Sequence, residues 1–154
     1  MKNDTKEVVL KYLRTQYVMG VATSDKKGNL WPATVYYIVD DDLNIYFMSS
    51  PKTIHAQNIR VSSEVALIVA DSDQNMSGDQ IGIQISGICT RVRGVSHVKN
   101  LVDAYKKSKL KVGSLTFVAF KKAATSGIYK VTPKKIKYFN TKLYPKDKFI
   151  EFEI

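Results

Sequence analysis

The stretch that most narrows the possible folds is IGIQISGICTRV, residues 81–92. Ile81, Ile83, Ile85 and Cys89 alternate with Gly82, Gln84, Ser86 and Ile88, the two-residue period of a strand that buries one face. Gly87 breaks the register, as at a bulge or a sharp bend. A strand this long, bent at a glycine, suits a sheet that closes on itself.

The flanking segments supply further strands. Residues 17–23, 30–39 and 43–48 read as strands joined by polar turns at 24–29, where Gly28 suits a positive φ, and at Asp40-Asp41-Asp42. Turns that short join antiparallel neighbours. Pro32 has no N–H to give a ladder, so it marks an edge or the start of pairing. Glu64–Ala70 is a nearly continuous apolar run and reads as a strand buried on both faces. Residues 115–120, 126–131 and 135–140 read as three more strands, with a turn at Pro133-Lys134, and KFIEFEI as a terminal strand or arm. Helices are expected over 4–14, with Val8, Val9, Tyr12 and Leu13 as the apolar stripe, over 51–60, and over 95–108 with Ser96 as N-cap. These elements predict an α+β chain dominated by antiparallel sheet. No repeat, linker or low-complexity tract divides it, so one domain is expected over 1–154.

The corner between the third strand and the helix after it reads Ser49-Ser50-Pro51-Lys52-Thr53-Ile54-His55. A strand that ends in hydroxyls and runs into a helix start can hold an anion, because free backbone N–H groups and small hydroxyls point the same way. The ordinary use of such Ser and Thr residues is to cap the helix, and different hydroxyls can serve both ends. His55, with no aligned acidic partner, reads as a helix-surface residue or an anion contact rather than a catalytic base. Gln84 by pattern alone is an outward-facing polar residue, and Cys89 a small buried side chain.

Charge is unevenly placed. Residues 1–98 hold ten Lys/Arg and ten Asp/Glu, whereas 99–148 hold fourteen Lys and two Asp. A lysine-rich surface attracts phosphorylated ligands or nucleic acid, but a charge run is more often a solvated face. A single cysteine excludes a disulfide framework and fits a reducing compartment. One Cys and two His (His55 and His97) show no zinc-ligand spacing. The N-terminal residues carry dispersed charge and no apolar secretory core, and no apolar run reaches the length of a membrane span. A cytoplasmic chain without membrane association is therefore expected.

The run GNLWPATVYYIVDDDLNIYFMSSPKTIHAQNI, followed by EVALIVA and IGIQISGICTRV, resembles the pyridoxamine 5′-phosphate oxidase-like family of FMN-binding split β-barrels, across roughly residues 5–140. The resemblance implies a six-stranded antiparallel Greek-key barrel, paired as a homodimer with FMN in clefts at the interface. It sets the backbone of Ala33, Thr34, Val35 and Tyr36 along the isoalloxazine ring. It sets Phe47, Met48, Ser49 and Ser50 along the ribityl chain and phosphate. Thr53 and His55 stand at the hydroxyl and basic positions of the phosphate site, and Gln84 at that of a glutamine reaching the ring. Lysine is common at the basic position. A histidine is only partly charged near neutral pH, so Lys52 or Lys122 would have to supply the missing charge. The arginines, Arg14, Arg60, Arg91 and Arg93, form no evident cluster, which speaks against pyridoxamine phosphate as substrate.

The function implied is an FMN-dependent oxidoreductase acting on a small molecule, with the flavin carrying the chemistry and no catalytic side chain singled out. The alternatives are a non-catalytic module of the same fold, holding F420, haem or no flavin, and a basic nucleic-acid-binding barrel. Lys135-Ile136-Lys137-Tyr138-Phe139 interleaves charge with aromatic rings as single-strand binders do. No oligonucleotide-fold arrangement accompanies it, so nucleic acid ranks behind the flavin reading.

Overall fold

The computed structural model describes residues 3–92, 98–108 and 127–154. In chain order the elements are α1 (Asn3–Thr15), β1 (Val18–Ser24), β2 (Leu30–Val39), β3 (Ile45–Met48), α2 (Ile54–Val61), β4 (Glu64–Ala70), β5 (Ile81–Val92), α3 (Val98–Lys107), β6 (Ile128–Asn140) and β7 (Phe149–Glu153). The strands lie in the order β3-β2-β1-β4-β5-β6-β7, every neighbouring pair antiparallel. β3 also pairs with β6, which closes six strands into a barrel and leaves β7 on the outer edge of β6. The mainly-β, six-stranded antiparallel barrel expected from the sequence is the architecture found.

The two turns of the meander are built by aspartates. Asp25 accepts the amides of Lys27 and Asn29, and Gly28 takes φ +85° between them. Asp40 accepts the amides of Asp42 and Asn44 and the hydroxyl of Tyr46. Leu43 closes that second turn at φ +65°. The third strand therefore begins at Ile45 rather than at Leu43, whose side chain is nevertheless buried.

Alternate residues fill the barrel. Met19 and Val21, Leu67 and Val69, Ile83 and Ile85, and Val131 and Ile136 meet in one core. Val9, Leu10, Tyr12 and Leu13 of α1 and Ala56 and Ile59 of α2 join it. A second cluster lies outside the barrel wall, where Leu101 and Ala104 of α3 pack with Ile38, Tyr46 and Ile128. Arg14 and Lys107 both reach the Asp41 carboxylate, tying α1 and α3 to one turn.

Two expectations change. β4 buries only Val65, Leu67 and Val69; Ala66, Ile68 and Ala70 face outward. The run reads as continuous because its outward residues are small or apolar, not because this chain covers them. The expected turn at Pro133-Lys134 is a bulge inside one continuous strand. Ser86 pairs with Lys135 and Gly87 with Pro133, so Lys134 is the extra residue. A break in the ladder accommodates a proline without a lost partner. The strand expected at 115–120 lies outside the described residues, as do Ser96, His97 and Lys122.

Gly87 is required by space at this bulge. A Cβ there would lie 2.6 Å from the Thr132 carbonyl oxygen and 3.1 Å from the Pro133 Cα, both backbone atoms. On Gly82 a Cβ would meet nothing closer than 3.5 Å. Gly87→Ala should therefore lower stability by about 1–3 kcal/mol, the usual range for overpacking, and Gly82→Ala should change it little. Urea midpoints at constant slope read the difference; equal midpoints would refute the steric account.

Candidate functional site

β3 ends where its backbone must leave the barrel. The Ser49 amide donates to the Gly127 carbonyl at 3.1 Å, extending the β3–β6 ladder by one rung, and the chain then turns through Ser50, Pro51 and Lys52 into α2. Thr53 caps α2: its hydroxyl oxygen accepts the Ala56 amide at 3.4 Å and its hydroxyl donates to the Ser50 carbonyl at 2.9 Å. The capping expected of one hydroxyl at this corner thus falls to Thr53.

His55 is not the surface residue that helix position alone suggested. It is 8% exposed, with its ring 6.3 Å from that of Phe47. Its Nε2 lies 2.7 Å from Ser49 Oγ and 3.2 Å from Thr53 Oγ1, and the two hydroxyl oxygens are 3.1 Å apart. One donor order satisfies all three groups. His55 Nε2–H donates to Ser49, Ser49 to Thr53, and Thr53 to the Ser50 carbonyl. Burial pushes the His55 pKa below its ordinary 6.5, so the ring is neutral at neutral pH. His55 therefore orients the Ser49 hydroxyl and supplies no fixed charge.

Ser50 and Lys52 are exposed at the same corner, and the Ser50 hydroxyl oxygen accepts the Lys52 amide at 3.3 Å. That leaves the Ser50 hydroxyl proton free to donate outward. The Ile54 and His55 amides open α2 and have no acceptor within the helix. Met48 is half-exposed beside them.

The other expected residues lie on the barrel wall. Only Tyr37–Val39 of β2 pair with β3, so the stretch through Thr34, Val35 and Tyr36 has β1 on one side and, among the described residues, no strand on the other. This agrees with the reading of Pro32 as an edge. Tyr36 is 64% exposed and stacks on Tyr17 with ring centroids 6.3 Å apart. Gln84 faces outward, in a row that runs Thr34, Gly20, Ile68, Gln84 across four strands. Three inter-strand steps separate Thr34 from Gln84 by roughly 14 Å. Ile68 stands exposed between them, leaning over Gly20, where a Cβ would lie 2.9 Å from its Cγ2. A groove of about 430 Å³, lined by Ile68, Gln74, Met76, Gln84 and Phe139 among others, flanks the Gln84 end of this row. The structure thus joins Ser49, Thr53 and His55 by direct contacts and leaves Gln84 on a separate surface of the same chain.

Arg91 was the residue that motif spacing passed over. It shares the inward parity of Ile83, Ile85 and Cys89 on β5 and pairs with Tyr129, whose ring stacks on Phe47 at 5.2 Å. A Cβ on Gly127 would lie 3.0 Å from the Ser49 carbonyl oxygen and 3.5 Å from Arg91 Nε. Arg91 therefore emerges at the mouth of the barrel beside the Ser49 corner. The signal was in the sequence: a charge that continues an otherwise apolar inward row.

A family model described as pyridoxamine 5′-phosphate oxidase matches residues 5–140. Comparison with curated proteins gives no match. Among solved structures, Campylobacter jejuni ChuZ superposes with a TM-score of 0.73 at 15% identity, covering 99% of this chain and 60% of that one. A heme binding protein from Mycobacterium smegmatis gives 0.72 at 12% identity, covering 99% and 59%. This chain therefore spans about three-fifths of the length of both. The General Stress Protein 26 from Bacillus anthracis gives 0.65 at 14% identity, covering 97% and 98%. At these identities the likeness is one of fold. Among the described residues no helix is long and apolar enough to cross a membrane.

The state of His55 has a measurable consequence. With its folded pKa below the unfolded value of 6.5, the unfolded chain binds the proton more readily between the two values. The stability this contributes is complete above 6.5 and is lost as pH falls through the folded pKa. The thermal midpoint should fall on acidification below 6.5, and His55→Asn should remove part of that fall. Parallel pH profiles for the two proteins would contradict a buried neutral histidine.

Proposed function

This chain belongs to the pyridoxamine 5′-phosphate oxidase family, and from that premise we propose that it binds FMN and acts as a flavin-dependent oxidoreductase on a small molecule. The observation that carries the reading is the corner itself: Ser49, Thr53 and His55 in mutual contact where β3 runs into α2. The donor set suits a phosphate monoester. The outward Ser50 hydroxyl and the first-turn amides of α2 lie at this corner, and Lys52 lies alongside. The edge of β2 that has no strand beside it among the described residues offers backbone groups of Thr34, Val35 and Tyr36 to a flat ring. FMN when bound would supply hydride acceptance and donation, and the protein would position it and exclude competing reactions.

The outer face of β2, β1, β4 and β5 supports a second element of the reading, a homodimer. Gly20, Ala22, Ala66, Ile68 and Tyr36 lie on it, and Glu64 is the one charged residue that β1, β4 and the paired part of β2 turn outward there. Barrel surfaces facing water carry more charge than this. A second copy would cover the face and bring Gln84 of one chain toward the corner of the other. One domain over 1–154 and a cytoplasmic setting belong to the same proposal.

Haem is the second reading, favoured by the superposition on the heme binding protein. It asks for an axial ligand such as an accessible imidazole. Among the described residues the one imidazole is that of His55, whose Nε2 is buried and already engaged by two hydroxyls, and on that ground FMN is preferred.

The visible spectrum of the purified protein, followed by FMN titration, separates the readings. Saturable uptake with flavin absorbance is expected; a haem Soret band, or no uptake of flavin, would refute the proposal. Ile68→Arg should convert the dimer to a monomer in gel filtration and weaken FMN binding while far-UV circular dichroism is unchanged. A dimer that persists in that variant would place the interface elsewhere.

A further inference from the structure

We propose that Arg91 is the cation that pairs with a phosphate monoester at the Ser49 corner, the role the family pattern assigns to position 55. The inference rests on the FMN reading and goes beyond it by naming the charge. An anion carrying nearly two charges needs more than hydroxyls when it leaves water. His55 cannot meet that need, because its Nε2 is tied to Ser49 and Thr53 and its ring is buried. Lys52 is exposed on the turn itself, on a long flexible stem, and its ammonium is a point charge without the planar fork that matches phosphate oxygens.

Arg91 meets the need by geometry. It is placed from β5, not from the corner's own segment, and reaches the corner beside Gly127, whose carbonyl holds the Ser49 amide. Gly127, at φ +104°, has no Cβ to fill the space between the Ser49 carbonyl and Arg91 Nε. A side chain there would meet both. Arg91 stands opposite Tyr129 in the β5–β6 ladder, and among the described residues no carboxylate pairs with its guanidinium. An unneutralised guanidinium that approaches the corner across Gly127 is suited to forked recognition of phosphate oxygens. In this arrangement His55 is a positioning residue that aims Ser49, and Arg91 supplies the charge.

The ratio of riboflavin to FMN dissociation constants isolates the phosphate, because the two ligands differ only there. Full-length wild type, Arg91→Gln, Arg91→Lys, His55→Gln and Lys52→Gln would be titrated with both by flavin fluorescence. Wild type should prefer FMN. Arg91→Gln should cut that preference roughly 10- to 100-fold, the loss typical of a charge-assisted hydrogen bond, and leave riboflavin affinity unchanged. Arg91→Lys should restore part of it. Arg91 is exposed, so circular dichroism and the thermal midpoint of Arg91→Gln should match wild type. A preference unchanged in Arg91→Gln, or lost more completely in His55→Gln or Lys52→Gln, would overturn the assignment while leaving the flavin site standing. Equal wild-type affinity for both ligands would do the same. Failure of the wild type to take up either flavin would overturn the cofactor reading and the Arg91 assignment with it.

Discussion

Everything at the corner depends on the short pairing of β3 with β6. Four rungs, Ile45 with Val131 through Met48 with Ile128, close the barrel. They also stack Phe47 on Tyr129 and bring Gly127 under Ser49. Without closure, β3 would be an edge strand, and α2 would start from a backbone free to move. β6 can serve here because it is long enough to do two jobs. Its first residues pair with β3 and β5, and after the bulge at Lys134 it pairs with β5 and β7. The bulge lets one strand change partners, since an extra residue bends the strand away from its former neighbour.

Closure turns a common local motif into a site with defined neighbours. Ser and Thr before a helix cap it in most proteins, and Thr53 does so here. What differs is that the same helix turns His55 inward onto Phe47, where burial favours the neutral ring and its Nε2 holds Ser49. The corner is therefore ordered before any ligand arrives, a condition that lowers the entropy lost on binding. Its hydroxyls come from the turn between β3 and α2, its steric allowance from Gly127 and its permanent charge from β5. The wall of β1, β2, β4 and β5 is its counterpart, smooth and nearly uncharged, and suited to contact another protein surface rather than water.

How much of this was legible in the chain varies with the range of the interaction. The strands of the meander were readable because alternation and turn chemistry are local, and Asp25, Gly28 and Asp40 act within a few residues of themselves. Gly87 was readable as a bend, but the bulge itself lies on β6 opposite it, and only the pairing reveals that. β4 looked buried on both faces because Ala66, Ile68 and Ala70 resemble core residues. Composition cannot separate a face covered by the same chain from one left for a partner. The Ser49–Thr53 corner could be found from its spacing, whereas the burial of His55 could not, since it depends on which side of α2 meets Phe47.

The sequence by itself determined the antiparallel strands, their turns, the capped helix after β3 and the hydroxyl-rich corner. Each rests on contacts between residues close in the chain, whose geometry the residue types largely dictate. Only the tertiary structure decided that His55 is buried, that Gln84 stands apart from the corner on the outer wall, and that Arg91 comes to the corner from β5. Ser49 and Arg91 are far apart along the chain and both come up to Gly127 because barrel closure brings the end of β3 alongside the start of β6. No local pattern carries that information, because the register between distant strands is set by how the whole barrel packs.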